Sequence, residues 1–312
     1  MKAPPPLSPL LLRLLVPVLT TILISSCSDS GTENPPTAAR SGIFASNYPL
    51  AYFAETITGK PETIIFPKID GDPAFWKPSA QDIRRLQSAE LILFNGAGYE
   101  KWAPTLTLPK SRIVDTSATF QPDLLSIETA TTHSHGPQGE HSHEGTAFTT
   151  WIDFSQASQQ AAAVADALIE NELVDPDIAK ANLTMLTSTL NAIDSELAGL
   201  TAQNKSIPLV ASHPIYDYLA HRYVLDIEPL VWEPDVAPDE KQWETLEKLL
   251  ESHPAKWMIW ENTPLPESVD RLKEMGVNSV VFNPSGNRPE NGDFLSVMRS
   301  NVENMKPIFE NR

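Results

Sequence analysis

Residues 175–202, DPDIAKANLTMLTSTLNAIDSELAGLTA, decide how the chain is organised. Asp175 is a good N-cap, Pro176 suits the first turn of a helix, and Asp177 puts negative charge at its amino end. Apolar residues then recur in steps of three and four and form one stripe: Leu183, Leu186, Leu190, Ile193, Leu197 and Leu200. The stretch therefore predicts a helix about 40 Å long, since each helical residue adds about 1.5 Å.

The stripe can be buried in two ways. It can pack against other parts of the same chain, or it can form a coiled-coil dimer with a second copy. The stripe spans fewer than four heptads and Gly199 lies near its end, and both features favour packing within the chain. We therefore expect a monomer in which this helix links two halves.

Short apolar segments that alternate with helical patterns lie on both sides of this helix. They are residues 42–47, 63–66, 90–95 and 112–115 before it, and 208–212, 225–230, 256–261 and 279–283 after it. Helix start signals separate them, for example at Ser79 and Asp239. Strands that alternate with helices indicate parallel sheets covered on both faces. We predict an α/β fold with two similar lobes of parallel sheet flanked by helices, residues 42–174 and 203–312, joined by one long linking helix.

The composition excludes several classes of function. The 312 residues include 23 Lys and Arg against 40 Asp and Glu, a formal net charge of −17. Nucleic acids select basic surfaces, so we expect no nucleic-acid partner. The one cysteine excludes a disulfide framework and any multi-cysteine zinc site. The sequence also lacks a nucleophile elbow, a phosphate-binding glycine loop and a His-Glu-x-x-His motif, so we expect no enzyme activity.

The amino-terminal residues have the pattern of an export signal. Two basic residues and an apolar run at residues 14–24, too short to span a bilayer as a helix, precede small residues and Cys27. This pattern resembles the lipobox of bacterial lipoproteins. We predict a signal peptide at residues 1–26, a lipid on Cys27 that anchors the exported protein to a bacterial membrane, and a flexible tether at residues 27–41. The alternative is plain cleavage that leaves a free thiol.

Several motifs occur in the order and spacing of a known family. They are YPL at 48–50, GDP at 71–73, FNGAGYEKW at 94–102, WID at 151–153, SHPIYDYL at 212–219, Glu261 and VFNP at 281–284. Through these motifs the chain resembles the zinc/manganese-type solute-binding proteins of ABC importers, the cluster A-I lipoproteins. The resemblance implies two α/β lobes joined by a long helix, a metal ion carried as cargo at the lobe interface, and permease and ATPase subunits as partners.

The resemblance also implies where the metal ligands lie. Family members place three histidines and an acid at the positions that here are Ala74, Thr149, His213 and Asn283. Only His213 is a strong ligand, so the resemblance implies a degraded cleft site. His213 directly follows the predicted strand 208–212 and Glu261 ends the predicted strand 256–261, and ligand sites of α/β sheets gather at such strand ends. We expect His213 with at most one nearby carboxylate, Glu261, and a purely structural role is the alternative for either residue.

Four of the seven histidines fall within one 11-residue window, and they are His133, His135, His141 and His143. The window lies in residues 131–146, which have no apolar period and are therefore predicted to be a mobile loop. Two His-x-His pairs with Glu140 and Glu144 offer donors to a borderline cation, and imidazole suits zinc better than manganese. We expect weak, reversible capture of zinc or another divalent transition metal, with a polar insert of no metal role as the alternative.

These features together predict an exported, lipid-anchored metal-binding lipoprotein of an ABC import system, with zinc more than manganese as the transported ligand and no catalytic cofactor. Two other interpretations remain open at this point. In the first, the chain is a paralogue that has lost the metal site and binds another small ligand. In the second, it is a surface interaction protein of the adhesin type.

Overall fold

The computed structural model describes residue 1 and residues 41–69, 71–135, 139–204 and 206–310, with the backbone alone for 128–135 and 139–144. The predicted signal peptide, Cys27 and all but the end of the tether fall on residues 2–40, outside the described part. Within the described ranges, none of the helices combines the length and the apolar composition that a membrane crossing requires.

The first half contains a four-stranded parallel sheet. Its strands are β1 (Ile43–Ala45), β2 (Ile64–Ile65), β3 (Leu91–Phe94) and β4 (Ile113–Asp115), in the order β2-β1-β3-β4. The helices of this half are α1 (Tyr48–Thr58), α2 (Ala80–Ser88) and α3 (Phe154–Glu170). Ser79 begins α2 through a capping box with Asp82, as the start signal at Ser79 predicted. In the register, Ile43 lies opposite both Ile64 and Leu91.

Residues 131–135 and 139–146, which belong to the predicted mobile loop, lie instead on two paired antiparallel strands, so the prediction of a loop is wrong for the described backbone. The strands are β5 (Ser126–His135) and β6 (Gly139–Thr146), and the backbone of His133 lies opposite that of His141. Threonines before His133 favour extended backbone. An apolar period reports burial of one face, so its absence did not exclude a strand. The mobility of this segment stays a prediction.

The helix predicted from the opening stretch is α4 (Pro176–Thr201). The Asp175 side chain accepts hydrogen bonds from the N–H groups of Asp177 and Ile178, as a helix N-cap does. The stripe is buried in the main core at Leu186, Leu190, Ile193, Leu197 and Leu200. It packs against α1 and α3 of the first half and against the carboxyl-terminal helix of the second. The stripe is therefore covered by this chain's own helices.

The second half repeats the parallel architecture. Its strands are β7 (Pro208–Ala211), β8 (Asp226–Pro229), β9 (Trp257–Trp260) and β10 (Asn278–Val281), in the order β10-β9-β7-β8. Its helices are α5 (Asp217–Tyr223), α6 (Glu240–Ser252), α7 (Pro266–Glu274) and α8 (Phe294–Glu310). All eight predicted strands are present, and the predicted α/β fold of two parallel sheets joined by one long helix is confirmed.

Hydrogen bonds connect the two halves near the carboxyl ends of their strands. The Thr149 hydroxyl donates to the carbonyl oxygen of Ile215 at 2.6 Å. The indole N–H of Trp151 donates to the carbonyl oxygen of Pro284 at 2.7 Å. Both donors lie in buried side chains of the first half, and both acceptors lie beyond strands of the second. The two lobes are thus held together beside the edge where ligands are expected.

Candidate metal centre

Three ligand-type side chains follow three neighbouring strands of the second sheet. His213 lies two residues after β7, Glu233 four residues after β8, and Glu261 directly after β9. The three strands are adjacent in the order β9-β7-β8, so their carboxyl ends meet at one edge. One ligand atom from each side chain lies within 4.8 Å of the other two. The topology thereby brings one imidazole and two carboxylates to a common point.

Backbone pairing continues past the strands and holds this arrangement. The N–H of Leu230 donates to the carbonyl oxygen of Ala211 at 2.8 Å, and the N–H of Trp232 donates to that of Ser212 at 2.7 Å. These bonds extend the contact between β7 and β8 up to the residue before Glu233. The chain segment that carries Glu233 is therefore fixed beside the segment that carries His213.

Both acids come directly after a buried tryptophan. Trp232 precedes Glu233 and Trp260 precedes Glu261, and the centroids of the two indole rings are 6.0 Å apart. The rings pack in the core of the second half. Because the two tryptophans are fixed in one core, the carboxylates of the residues that follow them lie in the same region. A Trp-Glu pair that closely follows a predicted strand is the sequence signal that could have identified Glu233, whereas the third Trp-Glu pair, at Trp243, lies within α6.

The expectation of at most one carboxylate near His213 is wrong. His213 is only 3% exposed, and its Nδ1 lies 3.8 Å from Oε1 of Glu233. Glu261 belongs to the same cluster, as the sequence predicted. Glu233 was missed because it lies three residues beyond the end of its predicted strand, and only the pairing of β8 with β7 brings it back to His213.

The charges of this cluster favour a bound cation or proton. Burial, together with the smaller effects of the charges of Glu233, Asp72 and Asp235, raises the pKa of Glu261 to about 8. Carboxylates that are gathered in a poorly hydrated space cannot all stay ionised without a compensating positive charge. A divalent cation would supply that charge, with the two acids and the imidazole as its ligands.

The other positions at which the resemblance implies ligands have structural roles. Ala74 is completely buried. The hydroxyl of Thr149 is engaged by Ile215, as described above, and the side-chain oxygen of Asn283 accepts a hydrogen bond from the N–H of Ser285 at 2.6 Å. The first lobe therefore contributes packing at two positions where the resemblance implies nitrogen ligands.

The carboxyl edge of the first sheet also holds a buried acid, Glu100, but surrounds it with donors. Its carboxylate accepts hydrogen bonds from the Ser46 hydroxyl at 2.6 Å and from the N–H groups of Asn95 at 2.7 Å and Gly96 at 3.4 Å. Burial raises the pKa of Glu100 to about 7, and these bonds act against that rise. This acid is used to join the segments that follow β1 and β3.

The remaining predicted site residues lie outside this cluster or outside the described side chains. His133, His135, His141 and His143 occur on β5 and β6, where the structure gives the backbone and the register alone. Cys27 is among the residues outside the described part. Metal capture by the hairpin and lipid attachment at Cys27 both stay predictions.

Comparison with known proteins gives the relationships of the chain. A family model described as zinc-uptake complex component A, periplasmic (ZnuA), matches residues 43–307. The zinc-binding lipoprotein AdcA of Streptococcus pneumoniae is 24% identical over 307 residues, which cover 95% of this chain and 60% of AdcA. The high-affinity zinc uptake system protein ZnuA of Bacillus subtilis is 22% identical, over 91% of this chain and 93% of that protein. The chain thus spans less than two thirds of AdcA.

A solved structure shares the fold. The crystal structure of the Zn(II)-bound ZnuA-like domain of S. pneumoniae AdcA superposes with a TM-score of 0.72 at 20% sequence identity. The match covers 88% of this chain and 100% of that domain. The likeness extends over both lobes and the helix between them.

Proposed function

The chain belongs to the family of the periplasmic component A of zinc-uptake complexes, and from this membership we propose that it is an extracytoplasmic solute-binding protein of an ABC importer. Its cargo is a divalent metal ion, zinc in preference to manganese, which it passes to a permease driven by an ATPase subunit. The observation that carries the proposal is the convergence of His213, Glu233 and Glu261 within 4.8 Å. The names of AdcA and ZnuA, which describe zinc binding and zinc uptake, support the choice of metal.

The three donors suit a transported cation. Zinc accepts imidazole nitrogen and carboxylate oxygen in a set of about four ligands, so three protein ligands leave at least one position to be filled. The acids must be deprotonated to bind, and a metal therefore displaces the proton that burial favours on Glu261. A cation held in this way is bound and released unchanged, which is the chemistry of a carrier and involves no catalytic step.

We assign a second, weaker capture role to the hairpin. Its four histidines form two His-x-His pairs on two paired strands, with His133 and His141 opposite each other in the backbone register. Imidazole groups at this density bind zinc reversibly. The hairpin would then raise the concentration of zinc near the cleft, and the cleft site would hold the cargo.

We also propose that the protein is anchored through a lipid on Cys27 and acts as a monomer. The serine-rich residues before Cys27 and the name of AdcA, which describes a lipoprotein, support the anchor. The burial of the α4 stripe within the chain supports the monomer. The variant Cys27→Ala should appear in the soluble extracytoplasmic fraction, and retention in the membrane fraction at unchanged mass would contradict the lipid anchor.

The cleft role is tested in a protein whose hairpin no longer binds metal. We call the full chain with His133, His135, His141 and His143 replaced by asparagine the hairpin-substituted protein. In chelator competition it should bind one zinc ion, and the further change His213→Ala should abolish this binding. His221→Ala, which alters an exposed histidine on α5, is the matched control and should bind zinc like its parent. Equal zinc binding in the His213→Ala variant would overturn the proposal.

A further inference from the structure

The dipeptide Asn-Gly occurs twice in the sequence, at residues 95–96 and at residues 291–292. The backbone nitrogen of the glycine can attack the side-chain amide of such an asparagine, because a five-membered ring closes easily and glycine has no side chain to hinder the approach. The two glycines have the same left-handed conformation, with φ of +77° at Gly96 and +78° at Gly292. The two pairs therefore differ mainly in what surrounds them.

The first pair is held by hydrogen bonds in the core. Asn95 is 0% exposed, and its Nδ2 donates to the carbonyl oxygen of Gly96 at 3.1 Å. Its Oδ1 accepts hydrogen bonds from the Thr150 hydroxyl at 3.2 Å and from the side chain of Gln160 at 3.1 Å. The N–H of Gly96 donates to the carboxylate of Glu100 at 3.4 Å. Both groups that would have to react are thus engaged elsewhere.

The second pair lies open to water. Asn291 and Gly292 are both exposed, in the segment that connects β10 with α8. Within the part of the chain that the structure describes, no hydrogen bond involves the side chain of Asn291 or the N–H of Gly292. Neither the attacking nitrogen nor the amide under attack has to break a contact before the two can meet.

The structure also explains why residue 292 is a glycine. A Cβ at this left-handed position would collide with the Oγ of Ser296. That hydroxyl accepts a hydrogen bond from the N–H of Asp293 at 2.7 Å, and the N–H of Ser296 donates to Oδ1 of Asp293 at 2.8 Å. These two bonds cap the first turn of α8. The glycine is therefore required by the start of this helix, and the reactive pair comes with it.

The pair lies in a segment that touches the other lobe on both sides of it. Before the pair, the guanidinium of Arg288 forms an ion pair with Glu55 on α1 of the first lobe. After the pair, Oδ2 of Asp293 accepts a hydrogen bond from the hydroxyl of Tyr52, also on α1, at 3.4 Å. We call residues 288–293 the clasp. The length of main chain between its two contacts is matched to their positions on α1.

We propose that Asn291 is a site of spontaneous deamidation and isomerisation, and that the isoaspartate product weakens the clasp. The N–H of Gly292 loses its proton to hydroxide, and its nitrogen forms a bond to Cγ of Asn291. The bond between Cγ and Nδ2 breaks, and the amide nitrogen leaves as ammonia after taking up a proton from water. The product of this step is a succinimide ring.

Water then opens the ring in one of two ways. Addition at Cγ breaks its bond to the Gly292 nitrogen and gives aspartate in an unchanged main chain. Addition at the main-chain carbonyl carbon of residue 291 breaks that bond instead and gives isoaspartate, whose main chain runs through Cβ and Cγ and is longer by one atom. The longer chain cannot keep both contacts of the clasp in their present geometry.

The test incubates the metal-free full chain at pH 8 and 37 °C. Peptide mapping by mass spectrometry locates each amide that has become an acid, and enzymatic methylation selective for isoaspartate identifies that isomer. Because Asn95 can react only when its surroundings open, ammonia loss at Asn291 should be at least about tenfold faster than at Asn95. In denaturant the two rates should converge, since both pairs then have the same freedom. Asn291→Gln keeps an amide but requires a six-membered ring, so it is the matched control and should stay intact.

Similar rates at the two asparagines in the folded protein would overturn the proposed site, and so would an Asn95 that stays slow in denaturant. The incubated wild type, which contains isoaspartate at residue 291, should unfold at a lower temperature than its fresh sample. Incubated Asn291→Gln should unfold at the temperature of its own fresh sample. An unchanged unfolding temperature in the isoaspartate-containing protein, or an equal fall in the control, would overturn the weakening of the clasp.

Discussion

Glu100, which is buried, and Glu261, which is half-buried, are acids at the carboxyl edges of two sheets with the same parallel architecture, yet their surroundings are opposite. Three donors from the ends of β1 and β3 point at Glu100. Glu261 instead faces the charges of Glu233, Asp72 and Asp235. Burial raises the pKa of both acids, so a shifted pKa alone does not separate a structural acid from a metal ligand. The neighbours separate them, because hydrogen-bond donors satisfy a carboxylate permanently and other carboxylates leave room for a cation.

The largest expected effect comes from removing the acid of the second sheet. In the hairpin-substituted protein, zinc at about 1,000 times its Kd should stabilise the fold by about 4 kcal/mol. Glu261→Gln should lose most of this stabilisation, because it removes a charged ligand and keeps the size of the side chain. Denaturant unfolding with and without zinc measures the effect. The control Glu251→Gln changes an exposed acid at the end of α6 and should keep the full stabilisation, and a similar loss there would remove the contrast between the two edges.

The next effect belongs to the acid of the first sheet and depends on pH. The pKa of Glu100 rises from 4.5 to about 7 on folding, so the folded protein holds this proton more tightly than the unfolded chain does. The stability that results is complete below about pH 4.5 and is lost as the pH rises through 7. Between pH 4.5 and pH 8, the unfolding free energy of the metal-free wild type should therefore fall by up to about 3 kcal/mol relative to that of Glu100→Gln. This figure follows from about 1.4 kcal/mol per pKa unit.

Unfolding free energies of the two metal-free proteins at pH 4.5 and pH 8 measure this difference. Glu261 titrates in both proteins and cancels when their stabilities are subtracted. A difference that stays constant across the pH range would show that Glu100 is not the titrating group. A change in zinc affinity in Glu100→Gln would place this acid in the metal site and contradict the distinction between Glu100 as a structural acid and Glu261 as a ligand.

A smaller effect is expected at Thr149, which joins the lobes between the two edges. Thr149→Val keeps the shape of the side chain and leaves the buried carbonyl oxygen of Ile215 without its donor, at a cost of about 1–2 kcal/mol. Zinc affinity should not change, because this hydroxyl is engaged by the backbone. Thr245→Val, at an exposed position on α6, is the control for the loss of a hydroxyl. Weaker zinc binding in Thr149→Val alone would instead assign this residue to the metal.

The smallest effect on stability is expected in the hairpin. Replacing its four histidines should reduce the number of zinc ions bound at micromolar concentration and should change the unfolding free energy of the metal-free protein by less than about 0.5 kcal/mol. The hairpin strands pair with each other in the described backbone, so their side chains are expected to add little to the core. Zinc counts by native mass spectrometry and calorimetric melting of the same samples test both halves of this statement. An unchanged zinc count would remove the capture role.

The fold was predictable because its signals are local. Each strand is a short apolar run, α2 and α6 begin at recognisable caps, and the stripe of α4 is periodic over its whole length. The hairpin was missed because its two strands pair without an apolar period. An element could be predicted where burial of one face leaves a repeating apolar pattern in the sequence, and the hairpin leaves none.

The candidate metal centre was only partly predictable, for a different reason. His213 and Glu261 each closely follow the apolar core of a predicted strand, and the sequence shows this. Glu233 reaches them through the pairing of β8 with β7. Strand order and lobe contact are non-local, so no spacing along the chain reveals them. The repeated Trp-Glu pair that follows β8 and β9 was a local trace of this arrangement.

That repeated pair also gives the protein an optical reporter of its own occupancy. The indole rings of Trp232 and Trp260 are each one residue from a ligand acid, and Trp232 also lies 4.7 Å from the ring of Trp243. The emission wavelength of indole responds to the electric field of nearby charges, and a divalent cation would neutralise the negative charge of the two carboxylates. Intrinsic fluorescence can therefore follow cargo binding and release in the unlabelled protein, in real time and without a competing chelator.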